Sequence, residues 1–192
     1  MEDESKPIPR VDQGKIPAGN EQAMAATRVL EWVFALYFLT HIPITLLIDL
    51  QALVPDFYPR GLTEWLTWYT AAFKDPLMAD PPSWFRSFIY CEAFLQLPFF
   101  PVATYAFWKG KRKWIRTPAI IYATHVATTL MPILAHILFH DFSHGKHAGP
   151  ETLPERLTLL AIYFPYLLIP LLILFSMLLD PQYSQEEKRK KR

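Results

Sequence analysis

Apolar residues along this chain gather into four stretches of bilayer-spanning length, separated by segments in which polar and charged residues dominate. They cover residues 29–54 (VLEWVFALYFLTHIPITLLIDLQALV), 85–108 (FRSFIYCEAFLQLPFFPVATYAFW), 117–139 (TPAIIYATHVATTLMPILAHILF) and 157–179 (LTLLAIYFPYLLIPLLILFSMLL). A spanning helix needs roughly 20 consecutive, mostly apolar residues, and each stretch meets that length. A buried helix of a soluble fold would carry a polar stripe at helical spacing, and the fourth stretch carries none. The pattern predicts an all-α integral membrane protein, a four-transmembrane-helix bundle. Each span contains proline (Pro43; Pro98 and Pro101; Pro118 and Pro132; Pro165 and Pro170), which removes a backbone donor and bends a helix, so the bundle is expected to be kinked around a hollow.

The polar segments set the orientation. Lys and Arg gather before the first span, between the second and third (Lys109, Lys111, Arg112, Lys113, Arg116) and at the C-terminus, while the two longer links are poorer in them. Positive charge stays on the cytosolic side, so both termini are expected there, with residues 55–84 and 140–156 lumenal or external. Residues 1–26, charged and Pro-rich, read as a disordered cytosolic tail rather than a signal peptide; residues 27–180 as one membrane domain; and residues 181–192 as a basic tail.

Composition then narrows the picture. Of 192 residues, 52% are hydrophobic and the net charge is only +1, which excludes disorder and leaves no basic face for nucleic acid. Cys91 is the one cysteine, so no internal disulfide forms.

Ionisable residues inside spans are expensive and mark functional sites facing the bundle interior. Asp49 lies near the outer end of the first span and Glu92 about two turns into the second; counted along their helices at about 1.5 Å per residue they reach a similar depth. Glu31 sits at the cytosolic edge, where water explains it. Helical spacing adds three rows, His41–Thr45–Asp49, Phe88–Glu92–Gln96 and Tyr122–His125–Thr129, and depth adds Tyr163 and Tyr166. A few convergent polar groups among apolar walls form a small-molecule site, and two carboxylates in low dielectric are expected to share a proton and to accept a protonated amine or a hydroxyl. Interhelical hydrogen bonding alone is the bland alternative. In the first outer link, LTEWLTWYTAAF (62–73) reads as an amphipathic helix, anchored by Trp65 and Trp68 or capping the cavity with Asp75 pointing inward.

Two signals carry less. His136, His140, Asp141, His144 and His147 suggest a metal, but six His are too few for multiple histidine boxes, and nearby Gly145, Gly149 and Pro150 favour a solvated loop, so no metal is expected. Lys188 and Lys190, fifth and third from the end, match a KxKxx retrieval signal for the endoplasmic reticulum.

Four stretches together carry a family resemblance: EWVFALYFLTHIPITLLIDLQ, YTAAFKDPLMADPPSWFRSFIYCEAFLQLPFFPVATYAFWKG, KWIRTPAIIYATHVATTLMPIL, and ETLPERLTLLAIYFPYLLIP followed by EEKRKKR. Over about residues 27–192 the chain resembles the receptor branch of the EXPERA family, the four-helix membrane proteins that include the emopamil-binding sterol isomerases. The resemblance implies an intracellular receptor that binds sterols, oxysterols and cationic amphiphilic drugs and takes part in cholesterol homeostasis and transport. It implies residence in the endoplasmic reticulum membrane, with lysosomal, nuclear and plasma membranes as further locations. It also implies a homodimer, a link to the Niemann-Pick lysosomal cholesterol transporter, and no cofactor. Carried onto this sequence, it makes Asp49 the amine-binding acid with Asp75 as its partner acid, Glu92, Gln96, Thr129, Tyr122, Tyr69 and Tyr163 the pocket lining, and His41, Ile44, Trp68, Met78, Phe88 and Ile162 further wall. The reading from depth alone pairs Asp49 with Glu92 instead. A non-catalytic receptor is the expectation, with a sterol double-bond isomerase as the competing reading and a structural membrane partner as a third.

Overall fold

The computed structural model describes residues 18–183, with side chains from Met24 onward. The first 17 residues and the retrieval-signal lysines, Lys188 and Lys190, lie outside the described residues.

Among the described residues the chain is helical throughout, without strands. Helix α1 spans Ala18–Leu47, starting well ahead of residue 29 because Asn-Glu-Gln-Ala-Met-Ala-Ala favours helix as strongly as the apolar run that follows. Short 3₁₀ turns at Asp49–Ala52 and Pro55–Phe57 lead into α2 (Arg60–Ala72) and α3 (Pro76–Ala79). The second apolar stretch is not one helix: α4 (Ser83–Cys91) runs into a π turn over Glu92–Gln96 and then α5 (Phe99–Lys109). Pro98 and Pro101 withhold two backbone donors there, and the ladder resets through a Leu97 N–H to Glu92 C=O bond of 2.8 Å. Helix α6 covers Arg116–Phe139; α7 (Leu153–Tyr163) and α8 (Pro165–Leu179) meet at a 43° bend.

Two helices, α1 with its 3₁₀ extension and α6 with its preceding turn, are individually long and apolar enough to cross a membrane, and the bent α7–α8 pair makes a third candidate. The second predicted span falls short as a single helix because the π turn divides it. Large apolar side chains face outward along these elements, Leu36, Phe94, Leu95, Ile121 and Leu179 among them. A soluble domain does not tolerate such an area, and the chain is a membrane protein.

Inside, α1 packs along α5 and α6 along α8. Small residues at the contacts, Ala35, Ala103, Ala106, Ala119 and Ala123, let the backbones approach closely, and Phe34, Phe38, Phe100 and Phe107 fill the space left. A second core holds Leu77, Phe85, Ile89, Leu130, Ile133, Ile137 and Leu159 at the opposite end, so α3 is folded into the body of the protein rather than lying on its surface.

A polar clasp closes the end away from α3. Glu31 is 1% exposed, not at a wet edge as its position in the sequence suggests. It binds the Arg28 guanidinium (2.9 Å), the Lys111 amide (2.7 Å), the Gln182 side chain (3.1 Å) and the Tyr183 hydroxyl (2.5 Å). Arg28 also donates to the Phe107 and Trp108 carbonyls at the end of α5. Gly110 ends α5 at φ +72°, where a Cβ would collide with Arg28 and Glu31. Thr27 joins Asp180 at 2.6 Å.

Candidate ligand-binding site

The site lies between the two cores, where α1 ends and the π turn begins. Asp49 is the first residue of the 3₁₀ turn that follows α1, and Glu92 opens the π turn. The inserted π residue brings Glu92 and Gln96 to the same cavity wall. Thr45, fully buried one turn before Asp49, donates to Glu92 Oε1 at 2.5 Å, and His41 Nε2 stands 3.7 Å from the same oxygen. Asp49 and Glu92 line the same hollow, close enough for each carboxyl to feel the other's charge. Two carboxyls so placed in low dielectric do not readily both ionise, which favours a single negative charge on the pair.

Two neighbouring hollows share Asp49 as a wall residue, and Glu92 lines the first of them. One, about 130 Å³, is walled by His41, Ile44, Met78, Phe88, Thr129 and Tyr163 among others. The other, about 220 Å³, reaches toward α2 past Ile48, Trp65, Tyr69 and Ile162. Asp49, Ile44, Met78, Tyr163 and Tyr166 border both. The His41 ring is packed edge-on with Phe100 and Tyr166 at centroid distances of 5.0 and 5.1 Å, which helps hold the ring that presents Nε2 to the acid.

Asp75 has a different place from the one the resemblance gives it. Fully buried, it caps α3 by accepting from the Leu77 and Met78 amides at 3.1 and 3.2 Å, and takes the Tyr163 hydroxyl at 2.8 Å and that of Tyr69 at 3.3 Å. Burial pushes its carboxyl up from the usual range, and these four donors oppose the shift. It therefore holds the tyrosines that wall the cavity and does not border it. Asp49 and Glu92 share a hollow whose wall does not include Asp75.

Two further expectations move. Trp68 is 58% exposed and packs edge-on against Phe73, whereas Trp65, one turn before Tyr69, occupies the cavity wall. Tyr122 bonds Tyr37 at 3.0 Å and borders a different hollow with His125; it lies about two turns along α6 from Thr129, and only Thr129 of the three reaches the site. Sequence reasoning left Trp65 off the pocket wall, although helical spacing from Tyr69 signals it.

The His-rich segment is more ordered than a solvated loop. His136 and His140 stack at 4.2 Å, Trp84 and Phe142 pack against His136, and Arg156 caps the end of α6 through the carbonyls of Ile137, Leu138 and His140. Among the described residues no three His, Cys, Asp or Glu side chains converge to hold a metal ion.

Outside the apolar region, Lys74 in the link after α2 meets Glu155 of α7 at 2.5 Å. Glu155 also accepts the Glu151 and Thr152 amides in a capping box. The lysine first, then the Thr152 amide, pulls the Glu155 carboxyl down to about 2.

A model of EXPERA, the EXPanded EBP superfamily, matches residues 62–177. The chain belongs to the EXPERA family. Within it, the chain is 60% identical over 166 residues to the Sigma intracellular receptor 2 of Xenopus tropicalis, covering 86% of this chain and 97% of that one. It is 58% identical over 174 residues to the Sigma intracellular receptor 2 of Homo sapiens, covering 88% and 99%. A more distant relative, the Efficient mitochondria targeting-associated protein 19 of Saccharomyces cerevisiae, is 28% identical over 151 residues, 72% of this chain and 91% of that one. This EXPERA protein thus has close relatives named as receptors, and the matched region contains Asp75, Glu92 and the tyrosines around them.

Proposed function

We propose that this EXPERA protein is an intramembrane receptor for sterols, oxysterols and cationic amphiphiles, acting in cholesterol homeostasis and transport. The observation that carries the reading is the Asp49–Glu92 carboxyl pair, steadied by Thr45 and His41, at the junction of two aromatic-walled hollows. A ligand's apolar body fills the hollows while its ammonium pairs with the shared negative charge, in surroundings of low dielectric where that attraction exceeds its value in water. In this reading the four helical stretches form one bundle, residues 55–84 cap it from the lumenal side, and both termini are cytosolic in the endoplasmic reticulum. The homodimer and a lysosomal cholesterol transporter as partner belong to the same reading and follow from the family resemblance. The relatives named as receptors support it.

Saturation binding of a radiolabelled cationic amphiphile to purified protein tests this. Asp49→Asn and Glu92→Gln are each expected to lower affinity at least tenfold in protein that still elutes as a folded species, and a sterol is expected to compete. Unchanged amine affinity in Asp49→Asn sinks the assignment.

One observation favours a second reading, a sterol double-bond isomerase: His41 stands 3.7 Å from the acid Glu92. The protonated member of the pair would give its proton to one alkene carbon and a base would remove a proton from the neighbouring allylic carbon, moving the double bond without net change. Incubation with a Δ8-sterol separates the readings, Δ7 product supporting the enzyme.

A further inference from the structure

A separate opening lies on the outer surface between the π turn with the start of α5 and the first half of α6. Its volume is about 360 Å³, within the usual span of small-molecule sites, about 300–1,000 Å³. Leu95, Phe99, Pro118 and Ile121 make it largely apolar, with Gln96 and His125 as its main polar groups. Leu95 and Ile121 at the rim are each 65% exposed. Gln96 borders this groove and the acid cavity, and neither Asp49 nor Glu92 reaches the groove.

The polar accounting at His125 does not close. Its Nε2 is buried and has no hydrogen-bond partner among the described residues, and a buried polar atom left unpaired is costly, most of all where no water reaches. The neighbouring hydroxyls are already committed: Tyr122 to Tyr37 at 3.0 Å, Thr128 to the Thr124 carbonyl, and Thr129 to the His125 and Val126 carbonyls. With no bond from these hydroxyls or from Gln96, Nε2 is open to a partner from outside the chain. The groove has no carboxylate to hold an amine and no Lys or Arg to hold a phosphate, so that partner is neutral. A hydroxyl both donates and accepts, and it satisfies Nε2 in either tautomer. The groove is short and walled by a flat ring and a proline, which suits a rigid body with little entropy to lose better than flexible acyl chains.

We propose that this groove is a second ligand site, in which a sterol-like lipid, rigid, neutral and carrying a single hydroxyl, docks from the bilayer with that hydroxyl on His125 Nε2. The proposal rests on the reading that this surface faces lipid, and it is independent of amine binding at Asp49.

A photoreactive sterol bearing a diazirine tests it, with the purified full chain in phosphatidylcholine vesicles and the labelled peptides mapped by mass spectrometry. Labelling is expected within residues 95–99 and 117–125, to persist under a saturating amine ligand and in Asp49→Asn, and to fall about fivefold in His125→Phe, the loss of one hydrogen bond in a dry site. His125→Gln keeps a polar group and is expected to retain most of the label, while Ile121→Trp fills the groove and abolishes it without touching His125. Labelling unchanged in both His125→Phe and Ile121→Trp overturns the site, as does its complete displacement by the amine. Equal labelling of the groove by a diazirine fatty alcohol overturns the preference for a rigid body. Amine binding that survives Asp49→Asn while the groove labels as expected defeats the proposed receptor pocket and leaves this site standing.

Discussion

Asp49, Glu92 and Asp75 are three acids within one small region, and their hydrogen-bond partners assign them different work. Asp49 and Glu92 line one hollow together. Asp75 is ringed by four donors and faces none. The variants should therefore separate. Asp49→Asn is expected to lose amine binding at an unchanged melting temperature, since it removes the charge that meets the ligand. Asp75→Asn replaces a fully bonded acceptor with an amide that cannot serve all four donors, and is expected to lower the melting temperature by several degrees with binding lost alongside. Thermal unfolding followed by size-exclusion chromatography, beside ligand binding on the same samples, reads both. Depth along the helices was enough to bring Asp49 and Glu92 to one level from sequence alone. The role of Asp75 was not legible, because it depends on where the long link between α1 and α4 returns to the body, and nothing in local spacing fixes that return.

At the scale of elements, the link from α1 to α4 is secured by few contacts outside the core. The Lys74–Glu155 pair joins it to the start of α7, and Lys74 holds φ +53° to reach there. Glu155 is held at about 2, below the ordinary glutamate value of about 4.3, so its contribution is complete above pH 4.3 and is lost as pH falls toward 2. Lys74→Ala is expected to reproduce at neutral pH the loosening that acid brings to the wild type, and to speed amine dissociation about two- to threefold, a modest effect suited to an exposed, salt-screened pair. A dissociation rate indifferent to Lys74→Ala and to pH between 5 and 3 would show that the link does not gate the cavity. The sequence located this link and its amphipathic helix, and the resemblance put Trp68 on the wall; Trp65 and Trp68, three residues apart, are neighbours on the helix surface, so spacing alone does not say which of them turns inward. The π turn was equally hidden: the prolines announced a break in the second stretch, and which backbone bond would replace the lost ones depends on the neighbour that Glu92 must meet.

Across the whole molecule, the acid site and the Glu31 clasp occupy opposite ends, with a core of aromatic rings and alanines between them. Four apolar stretches were readable because a membrane imposes length and hydropathy on any chain that crosses it. The clasp was not, since Glu31 near a span edge looks solvated until Tyr183, far away in the sequence, closes over it. Glu31→Ala leaves the Tyr183 hydroxyl and part of the Arg28 guanidinium without a partner, and is expected to cost about 3 kcal/mol of stability. Amine affinity at low temperature should stay unchanged, because no residue of the clasp borders the cavity. A variant as stable as the wild type would show that the aromatic core alone holds the ends.

The bond between Thr27 and Asp180 has a topological meaning as well. It brings the first turns of α1 and the end of α8 into direct contact, so the path from residue 27 to residue 180 is almost a ring. A short linker joining those two points, with a new break opened in the exposed segment around Gly145, would preserve every contact described here while reversing which half of the chain is made first. In such a permutant α7 and α8 would precede α1 during synthesis, and α6, rather than α7 and α8, would be the last helix to complete the Glu92 pocket.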